Sequence, residues 1–303
     1  MCSLLSKVLA NRLKKVLPDI IHESQSGFVP GRLITYNILV AYECFHYLRK
    51  KKKGKSGHLG LKLDMSQAYD RVEWCFLEQM MIKDGFPTSF VSSIMKCVQE
   101  TSFSILINGQ PSRHFLPSRG LRQGDPLSPF LFIICAEGLS TLLRDAEERK
   151  MIHGVKIGKK VDPISHLFFA DDSLLFVRAN EEEVENVLDI LSIYEAASGQ
   201  KLNMEKSEVS FSRNLEPEKK ELLQMKLSFK AVEGHEKYLG LPTYLGSSKK
   251  RVFQTMKDRI WKKLKGWFED LSQAGREVLI KSIAQAIPTY AMQCFNIPVS
   301  RVY

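Results

Sequence analysis

Two adjacent carboxylates, Asp171 and Asp172, lie between two short apolar runs of the sequence. Apolar runs on both sides of an acidic tip predict two strands joined by a tight turn, because Asp tolerates turn geometry and the flanking Leu, Phe and Val do not. Adjacent carboxylates repel each other, so a fold that presents them together needs solvent or cations, and Mg²⁺ prefers oxygen ligands of this kind. An ordinary solvated turn is an equal alternative at this point, since turn chemistry alone favours Asp.

A third carboxylate, Asp64, follows the strand-like apolar run 60–63. If this strand and the strands around Asp171 are neighbours in one sheet, the three side chains can converge at one end of that sheet. Carboxylates arranged in this way can hold two metal ions roughly 3.5 to 4 Å apart, which activate a 3′-hydroxyl and stabilise a leaving pyrophosphate. The three carboxylates therefore indicate metal-dependent chemistry on a nucleotide.

The composition is that of an ordinary globular protein. The chain has 303 residues, of which 44% are hydrophobic and 26% are charged. This length is sufficient for one large domain or about two to three modest subdomains. The formal net charge of +10 favours a polyanionic partner, because each Lys or Arg placed on a phosphate adds salt-dependent affinity. Basic charge alone is a weak indicator of such a partner.

The six cysteines are widely scattered, and none follows another at the Cys-x-x-Cys spacing. This pattern argues against a zinc site or a disulfide framework and favours reduced thiols. We therefore expect an intracellular, reducing compartment, either nuclear or cytoplasmic, rather than secretion. No apolar run reaches the roughly 18 to 20 residues that span a membrane, and the N-terminus lacks a signal-peptide pattern, so no membrane partner is expected.

Hydrophobic periodicity predicts the helices that would surround these strands. The expected helices span 3–17, 37–50, 129–149, 181–197, 249–268 and 274–286. Asn180 is expected to cap the fourth of them, and Pro18 and Pro288 are expected to end the first and the last. A strand is expected at 101–108, and Trp261 and Trp267 are expected in a helical core rather than on a stacking surface.

Three sequence blocks carry a resemblance to a known family. They are LKLDMSQAYDRVEW at 61–74, SRGLRQGDPLSP at 118–129 and FADD at 169–172. A lone Asp-Asp pair is a weak signal, but three blocks in this order resemble the motifs of a reverse transcriptase. Their wording is similar to that of non-LTR (LINE-type) retrotransposons, closest to those of plants. The resemblance runs nearly from end to end and includes QSGFVPGR at 25–32.

The resemblance implies a right-hand polymerase fold of the α+β class, with fingers, a palm built on an antiparallel sheet, and a helical thumb. The expected boundaries are fingers at roughly 1–58 and 86–117, palm at roughly 59–85 and 118–246 with a primer grip at 238–246, and a partial thumb at 247–303. Members of this family carry a strand upstream of the first helix, and its arginine touches the incoming triphosphate. The fingers are therefore expected to be truncated at the N-terminus.

The resemblance also assigns the chemistry to particular residues. It implies that Asp64, Asp171 and Asp172 are catalytic and bind two Mg²⁺ ions, with Mn²⁺ as a possible substitute. The backbone carbonyl of Met65 would be an additional metal ligand. Lys206 matches a family lysine that protonates the leaving pyrophosphate, with an exposed loop lysine as an equal alternative.

Further residues are expected to contact the nucleotide and the nucleic acid. The ring of Tyr69 would lie against the sugar of the incoming nucleotide and clash with a 2′-hydroxyl. The resemblance places Arg32 on the template backbone and Arg122, Gln123 and Gly124 on the nascent base pair and template. The primer grip would position the primer 3′-terminus, and its candidate residues are Tyr238, Leu239 and Gly240.

These assignments imply an RNA-directed DNA polymerase, a nucleotidyltransferase that extends a DNA primer on an RNA template with deoxynucleoside triphosphates. Two alternatives stay open at this stage. One is a catalytically inactive remnant or RNA-binding scaffold that keeps the fold, which the expected truncation of the fingers would favour. The other is a group II intron-type maturase, which shares the catalytic carboxylates.

Overall fold

The computed structural model describes residues 2–235, 237–243, 249–265 and 271–295. Its helices are α1 (Cys2–Leu13), α2 (Leu17–Ile20), α3 (Ile34–Lys50), α4 (Trp74–Lys83), α5 (Thr88–Gln99), α6 (Ser128–Glu148), α7 (Glu181–Ser198), α8 (Pro217–Leu227), α9 (Lys249–Lys265), α10 (Gln273–Leu279) and α11 (Ala286–Cys294), with a π-helical turn at Ile280–Ala284. Its strands are β1 (His58–Leu63), β2 (Leu106–Ile107), β3 (Gln110–Pro111), β4 (His166–Phe169), β5 (Asp172–Arg178), β6 (Glu208–Phe211) and β7 (Lys230–Ala231). Throughout these described ranges, no helix has the length and apolar character needed to cross a membrane.

The centre of the molecule is a five-stranded sheet with the order β4-β5-β1-β6-β7. Strand β1 pairs antiparallel with both β5 and β6, and β4 pairs antiparallel with β5. Strand β7 pairs parallel with β6, so the sheet is mixed and the expectation of an antiparallel sheet is wrong at this edge. The parallel pairing follows from the connection, because a strand that returns through a helix, here α8, runs in the same direction as the strand before it.

Helices cover both faces of this sheet. On one face, alternate β1 residues such as Leu59 and Leu61 pack in one hydrophobic cluster with Val184 and Val187 of α7. On the other face, α3 approaches so closely that a side chain at Gly60 would meet Phe45 of α3 at 3.0 Å. Both faces of the sheet are thus buried.

A second hydrophobic cluster lies beside the sheet and joins α1, α4, α5 and the first half of α6. From this cluster extends the β2–β3 hairpin, whose strand residues are all exposed. The strand expected at 101–108 is shorter in the structure, which shows a paired strand only at Leu106–Ile107 and an isolated bridge between Phe103 and Phe115.

The expected helices all occur, with differences at two prolines. The first helix ends at Leu13, and Pro18 lies in the first turn of α2 instead of ending a helix. Pro288 likewise lies in the first turn of α11 and does not stop a helix. Proline is tolerated in both places because the N–H groups in the first turn of a helix have no hydrogen-bond acceptor within the helix.

The C-terminal helices pack against one another through the π-helical turn, and Ala291 of α11 contacts α3 residue Ile38 in a small apolar cluster. The predicted core position of Trp261 is wrong, since 65% of this side chain is exposed on α9. The predicted boundaries of fingers, palm and thumb stay predictions. Residues 244–246 of the predicted primer grip and 266–268 of a predicted helix lie outside the described residues.

Candidate active site

Strands β1 and β5 bring two of the predicted carboxylates to the same end of the sheet. Their antiparallel register pairs Leu63 with Ser173. Asp64 follows Leu63 and Asp172 precedes Ser173, so the two aspartates occupy the next opposing position. Opposing residues of an antiparallel pair place their side chains on the same face of the sheet. The expectation that these strands are neighbours is therefore confirmed.

Asp171 lies at the tip of the β4–β5 hairpin. Phe169 pairs with Asp172, which leaves Ala170 and Asp171 as the two residues of the turn. Ala170 has a φ of 55°, an uncommon value for a residue other than glycine. Asp171 is exposed, whereas Asp172 is half-buried as the first residue of β5. The hairpin thus presents one carboxylate to solvent and aims the other along the sheet.

The electrostatics of the site reflect this convergence. The pKa of Asp172 is raised, first by burial and then by the charge of Asp171, and Asp64 adds to the increase. The cationic Lys62, two residues before Asp64 on β1, works in the opposite direction. A carboxyl group in this position resists ionisation unless a positive charge comes close.

The donor set fits a hard divalent cation by its chemistry, because carboxylate oxygens are the ligands that Mg²⁺ prefers and a cation would relieve the cost of charging Asp172. Across the described ranges, no three His, Cys, Asp or Glu side chains lie close enough to form a ready-made metal cluster. Like charges that repel each other are expected to stay apart unless a cation draws them together.

The loop 203–207 anchors the backbone of Asp64. The Asp64 N–H donates to Ser207 Oγ at 3.2 Å, and its carbonyl accepts from the Asn203 N–H at 2.8 Å. Met65 forms an isolated antiparallel bridge with Leu202 directly beyond the end of β1. Lys206 lies in this loop with an exposed side chain. The structure thus brings Met65 and the segment that carries Lys206 to the end of the sheet where Asp64 lies.

Tyr69 lies near the tip of the hairpin. Burial raises its pKa to about 12, and the charge of Asp171 contributes to the increase. Its ring stacks on Phe132 of α6 with a centroid distance of 4.7 Å. The backbone carbonyl of Tyr69 accepts a hydrogen bond from the Leu121 N–H at 2.8 Å. This contact joins the first sequence block to the second.

The 120–124 loop packs on the first block because Gly120 permits a close approach. A Cβ at Gly120 would lie 2.7 Å from the carbonyl oxygen of Asp70, and its φ of +90° also favours glycine. The predicted contact residues Arg122, Gln123 and Gly124 are all exposed in this loop. Asp125 has a structural role, since its side chain accepts the Leu127 N–H at 2.8 Å just before α6 begins.

Arg32 is bound to the protein's own backbone. Its guanidinium group donates to the carbonyls of His22 at 2.5 Å, Gln25 at 2.6 Å and Ile21 at 2.6 Å. These contacts fix the segment 21–25, which passes beneath the β4–β5 hairpin. The contact between Arg32 and a template backbone stays a prediction, while the structure assigns this side chain a bracing role.

The predicted primer-grip residues form a tight turn. Tyr238 and Leu241 exchange two backbone hydrogen bonds, and Leu239 and Gly240 between them both have positive φ values. Burial raises the pKa of Tyr238, and the charge of Asp172 adds to the increase. The role of this turn in holding a primer stays a prediction.

Two buried side chains that sequence reasoning missed support the hairpin. Asn37 of α3 donates to the Phe168 carbonyl at 2.9 Å and accepts from the Tyr238 hydroxyl at 2.7 Å, which ties the primer-grip turn to β4. Gln25 binds the backbone of Ala170. Gln25 belongs to the QSGFVPGR block, which carries part of the resemblance but gave Gln25 itself no role. Its place in that block was the only sequence signal for its importance. Asn37 gave no signal beyond its place in a predicted helix.

Comparison with known proteins places this site in a family. The family model described as reverse transcriptase (RNA-dependent DNA polymerase) matches residues 1–243. The transposon TX1 uncharacterized 149 kDa protein of Xenopus laevis is 26% identical over 302 residues, which are 97% of this chain and 22% of that protein. The Pol polyprotein of the type-2 retrotransposable element R2DM of Drosophila melanogaster is 32% identical over 208 residues, 66% of this chain and 18% of the polyprotein.

A solved structure shows the same fold. Telomerase from Candida tropicalis, in complex with a fragment of telomeric RNA, aligns with a TM-score of 0.51 and 16% identity over 95% of this chain and 46% of that chain. The expected right-hand polymerase fold of the α+β class is thereby confirmed. The present chain spans only about a fifth of the length of the TX1 and R2DM proteins. Since the family model covers most of its residues, the chain belongs to the reverse transcriptase (RNA-dependent DNA polymerase) family.

Proposed function

We propose that this chain is the catalytic region of a non-LTR retrotransposon reverse transcriptase and adds deoxynucleotides to the 3′-hydroxyl of a DNA primer paired with an RNA template. The observation that carries the proposal is the opposition of Asp64 and Asp172 on adjacent strands, with Asp171 at the neighbouring hairpin tip. Retroelement Pol proteins among the relatives support it. No feature of the described residues favours a maturase or an inactive scaffold over this function.

Asp64, Asp171 and Asp172 would hold two Mg²⁺ ions, or Mn²⁺ in their place, with the carbonyl of Met65 as an additional ligand. Bound divalent ions would supply activation of the 3′-hydroxyl and charge stabilisation at the leaving pyrophosphate. Asp172, as the half-buried member next to Lys62, would contribute less direct contact than the other two. The anchored backbone of Asp64 supports this role, because positioning supplies much of the catalysis in phosphoryl transfer.

The residues around the carboxylates would select and orient the nucleotide. Tyr69, held by its stacking on Phe132 and lying near Asp171, would place its ring against the sugar and exclude a 2′-hydroxyl. Lys206 is on the loop that binds the Asp64 backbone, and its exposed amine would donate a proton to the leaving pyrophosphate.

The template and primer would lie across the open end of the sheet. Arg122, Gln123 and Gly124 are exposed beside the first block and would contact the nascent base pair, and the turn at Tyr238–Gly240 would hold the primer terminus. Helix α9 carries exposed cations that would bind the duplex backbone, namely Lys257, Arg259, Lys262, Lys263 and Lys265. An enzyme that copies RNA into DNA would act inside the cell, in the nucleus or the cytoplasm.

The test is extension of a DNA primer on an RNA template by the wild-type chain with Mg²⁺, beside Asp171→Asn and at several salt concentrations. We expect extension by the wild type and at least about a 1000-fold lower rate in the variant, with salt-dependent binding of the template–primer duplex in both. Duplex binding without extension by the wild type would support a remnant that keeps the fold without turnover. Equal extension by both proteins would exclude the proposed role of Asp171.

A further inference from the structure

The side chain of Gln25 grips the turn of the β4–β5 hairpin. Its Oε1 accepts the Ala170 N–H at 2.9 Å and the Gly27 N–H at 2.8 Å, and its Nε2 donates to the Ala170 carbonyl at 3.4 Å. Only 1% of Gln25 is exposed, so these bonds do not compete with bulk water. Both polar groups of the Ala170 residue are therefore bound by one buried amide.

Ala170 needs such a grip because its backbone is strained. Its φ of 55° lies in the left-handed region, where a Cβ crowds the following carbonyl. Neighbouring residues must enforce a conformation of this kind, and it occurs most often at functional sites. The next residue in the chain is Asp171, so the conformation of Ala170 sets the direction in which that carboxylate leaves the turn.

The segment 24–27 is itself held in place by three kinds of contact. Its backbone pairs in parallel with β4, where the Ser26 N–H donates to Phe168 O at 3.0 Å and the Phe168 N–H donates to Ser24 O at 2.8 Å. The guanidinium of Arg32 fixes the Gln25 carbonyl. Gly27 lies so close that a Cβ there would be 2.4 Å from the Ala170 nitrogen. The segment is thus an additional edge of the sheet that fits only with glycine at position 27.

We infer that Gln25 is a positioning residue, which holds the Ala170 peptide in the left-handed conformation that aims Asp171, and that Gly27 leaves the room this contact requires. The inference rests on the proposed function, because it gives the grip a purpose only if Asp171 takes part in catalysis. Gln25 touches no reacting atom and acts through the hairpin.

The first test is hydrogen exchange of the metal-free protein in peptides that cover 168–175. Gln25→Met keeps the length of the side chain and removes the acceptor, so exchange at the Ala170 amide should accelerate at least about tenfold. Ser212→Ala is the matched control, since Ser212 is a fully buried hydrogen-bonding residue near the opposite end of β1. Unchanged exchange at Ala170 in Gln25→Met would overturn the inference.

The second test is the affinity for Mn²⁺, measured by electron paramagnetic resonance with the primer–template duplex bound. Gln25→Met should weaken Mn²⁺ binding about tenfold, and adding Ala170→Gly should restore most of it, because glycine adopts a positive φ without the crowding. A purely structural role would lower thermal stability and would not respond to glycine at position 170. Unchanged affinity in Gln25→Met, or no recovery in the double variant, would overturn the inference.

Gly27→Ala tests the same contact without removing a buried polar group. Its Cβ should displace the Ala170 peptide, so Mn²⁺ binding should weaken as in Gln25→Met, and wild-type affinity in this variant would overturn the role given to Gly27. Primer extension by the wild type is scored separately. Its absence would contradict the proposed function, while exchange and Mn²⁺ binding still decide whether Gln25 positions the hairpin.

Discussion

The β2–β3 and β4–β5 hairpins both have two-residue turns, but the two turns are held in opposite ways. The β2–β3 hairpin turns at Asn108 and Gly109, both with positive φ, and its strands are exposed. The β4–β5 hairpin turns at Ala170 and Asp171, is flanked by buried strands, and has a positive φ at Ala170. Asn-Gly adopts its turn by local preference, whereas Ala-Asp does so under contacts from Gln25 and Gly27.

The two hairpins thus differ in what fixes the geometry of the turn. A turn whose own residues prefer its backbone geometry can form at an exposed edge with few neighbouring residues. A turn that must aim a carboxylate is instead fixed by residues far away in the chain, which hold it more rigidly than turn preference could.

The largest effect is expected from Asp64→Asn at the end of β1. This change keeps the size of the side chain and removes a charge that would hold the metal ions, so the extension rate should fall at least about 1000-fold. The reverse exchange at the exposed hairpin, Asn108→Asp, is the matched control and should change the rate less than about threefold, since Asp-Gly also suits this turn. Single-turnover extension measures both. Comparable losses would contradict the assignment of the reaction to the carboxylates at the end of the sheet.

Asn37→Leu should cost about 3 kcal/mol of unfolding free energy, because it leaves the buried Tyr238 hydroxyl and the Phe168 carbonyl without this partner. Asn186→Leu removes an exposed side-chain hydrogen bond to Met151 O and should cost less than about 1 kcal/mol. Urea denaturation compares the two variants. A cost below about 1 kcal/mol for Asn37→Leu would show that the hairpin does not depend on this tie.

Glu137 links the stability of the 22–27 region to pH. Its carboxylate accepts the His22 N–H at 3.1 Å, and burial raises its pKa to about 7. Between about pH 4.5 and 7 the Glu137 carboxyl group is ionised in the unfolded chain but still protonated in the folded protein. A rise in pH through this window therefore favours the unfolded chain, and the contribution of Glu137 to the free energy of unfolding is lost.

Glu137→Gln keeps an acceptor and removes the charge. The free energy of unfolding of this variant relative to wild type should therefore rise by about 2 kcal/mol from pH 5 to pH 8. Denaturation at several pH values, with the exposed Glu182→Gln as control, measures the difference. A difference in unfolding free energy that is constant with pH, or that falls as pH rises, would contradict this expectation.

Tyr69→Ala should lower the preference for deoxynucleotides over ribonucleotides about tenfold, since it removes the ring expected to exclude a 2′-hydroxyl. The measurement is the ratio of kcat/KM for dNTP and rNTP incorporation. Tyr47→Ala serves as the control, because Tyr47 lies near the C-terminal end of α3, where its ring contacts His58. Equal ratios in wild type and Tyr69→Ala would remove Tyr69 from sugar selection.

The smallest effect is expected at Gly109, whose φ is +81° and whose Cβ position is open space. Gly109→Ala should cost about 1 kcal/mol of stability from backbone strain and leave extension within about twofold. Stability and single-turnover rate are measured on the same preparation. A loss of extension beyond this limit would mean that the two hairpins are not held differently.

Local pattern was sufficient for the elements that carry the carboxylates. The strand before Asp64, the acidic hairpin tip and the Asn180 cap all follow from short-range preferences, and the Asn180 side chain does accept the Glu183 N–H. The support of the site was not predictable in the same way. Gln25 and Asn37 contact the hairpin across 145 and 131 residues of sequence, and no local rule encodes such pairings.

Arg32 illustrates the same limit. The resemblance placed Arg32 on the template backbone, and that contact stays a prediction. The structure adds that its guanidinium donates to backbone carbonyls of the 21–25 segment, which no local pattern indicated. The edge strand β7 also depends on how the chain returns to the sheet, here through α8. These features come from tertiary packing, which overrides the local signals from which they would have been read.

The proposed polymerase activity is tested most directly by single-nucleotide addition to a DNA primer paired with an RNA template, under single-turnover conditions with Mg²⁺. The wild-type chain is compared with the double variant Asp64→Asn/Asp171→Asn, and duplex binding is measured for both. We expect the wild type to add the complementary deoxynucleotide and the double variant to add none while binding the duplex within about threefold of wild type. Equal rates of addition by the two proteins would contradict a polymerase centred on the β1 and β4–β5 carboxylates.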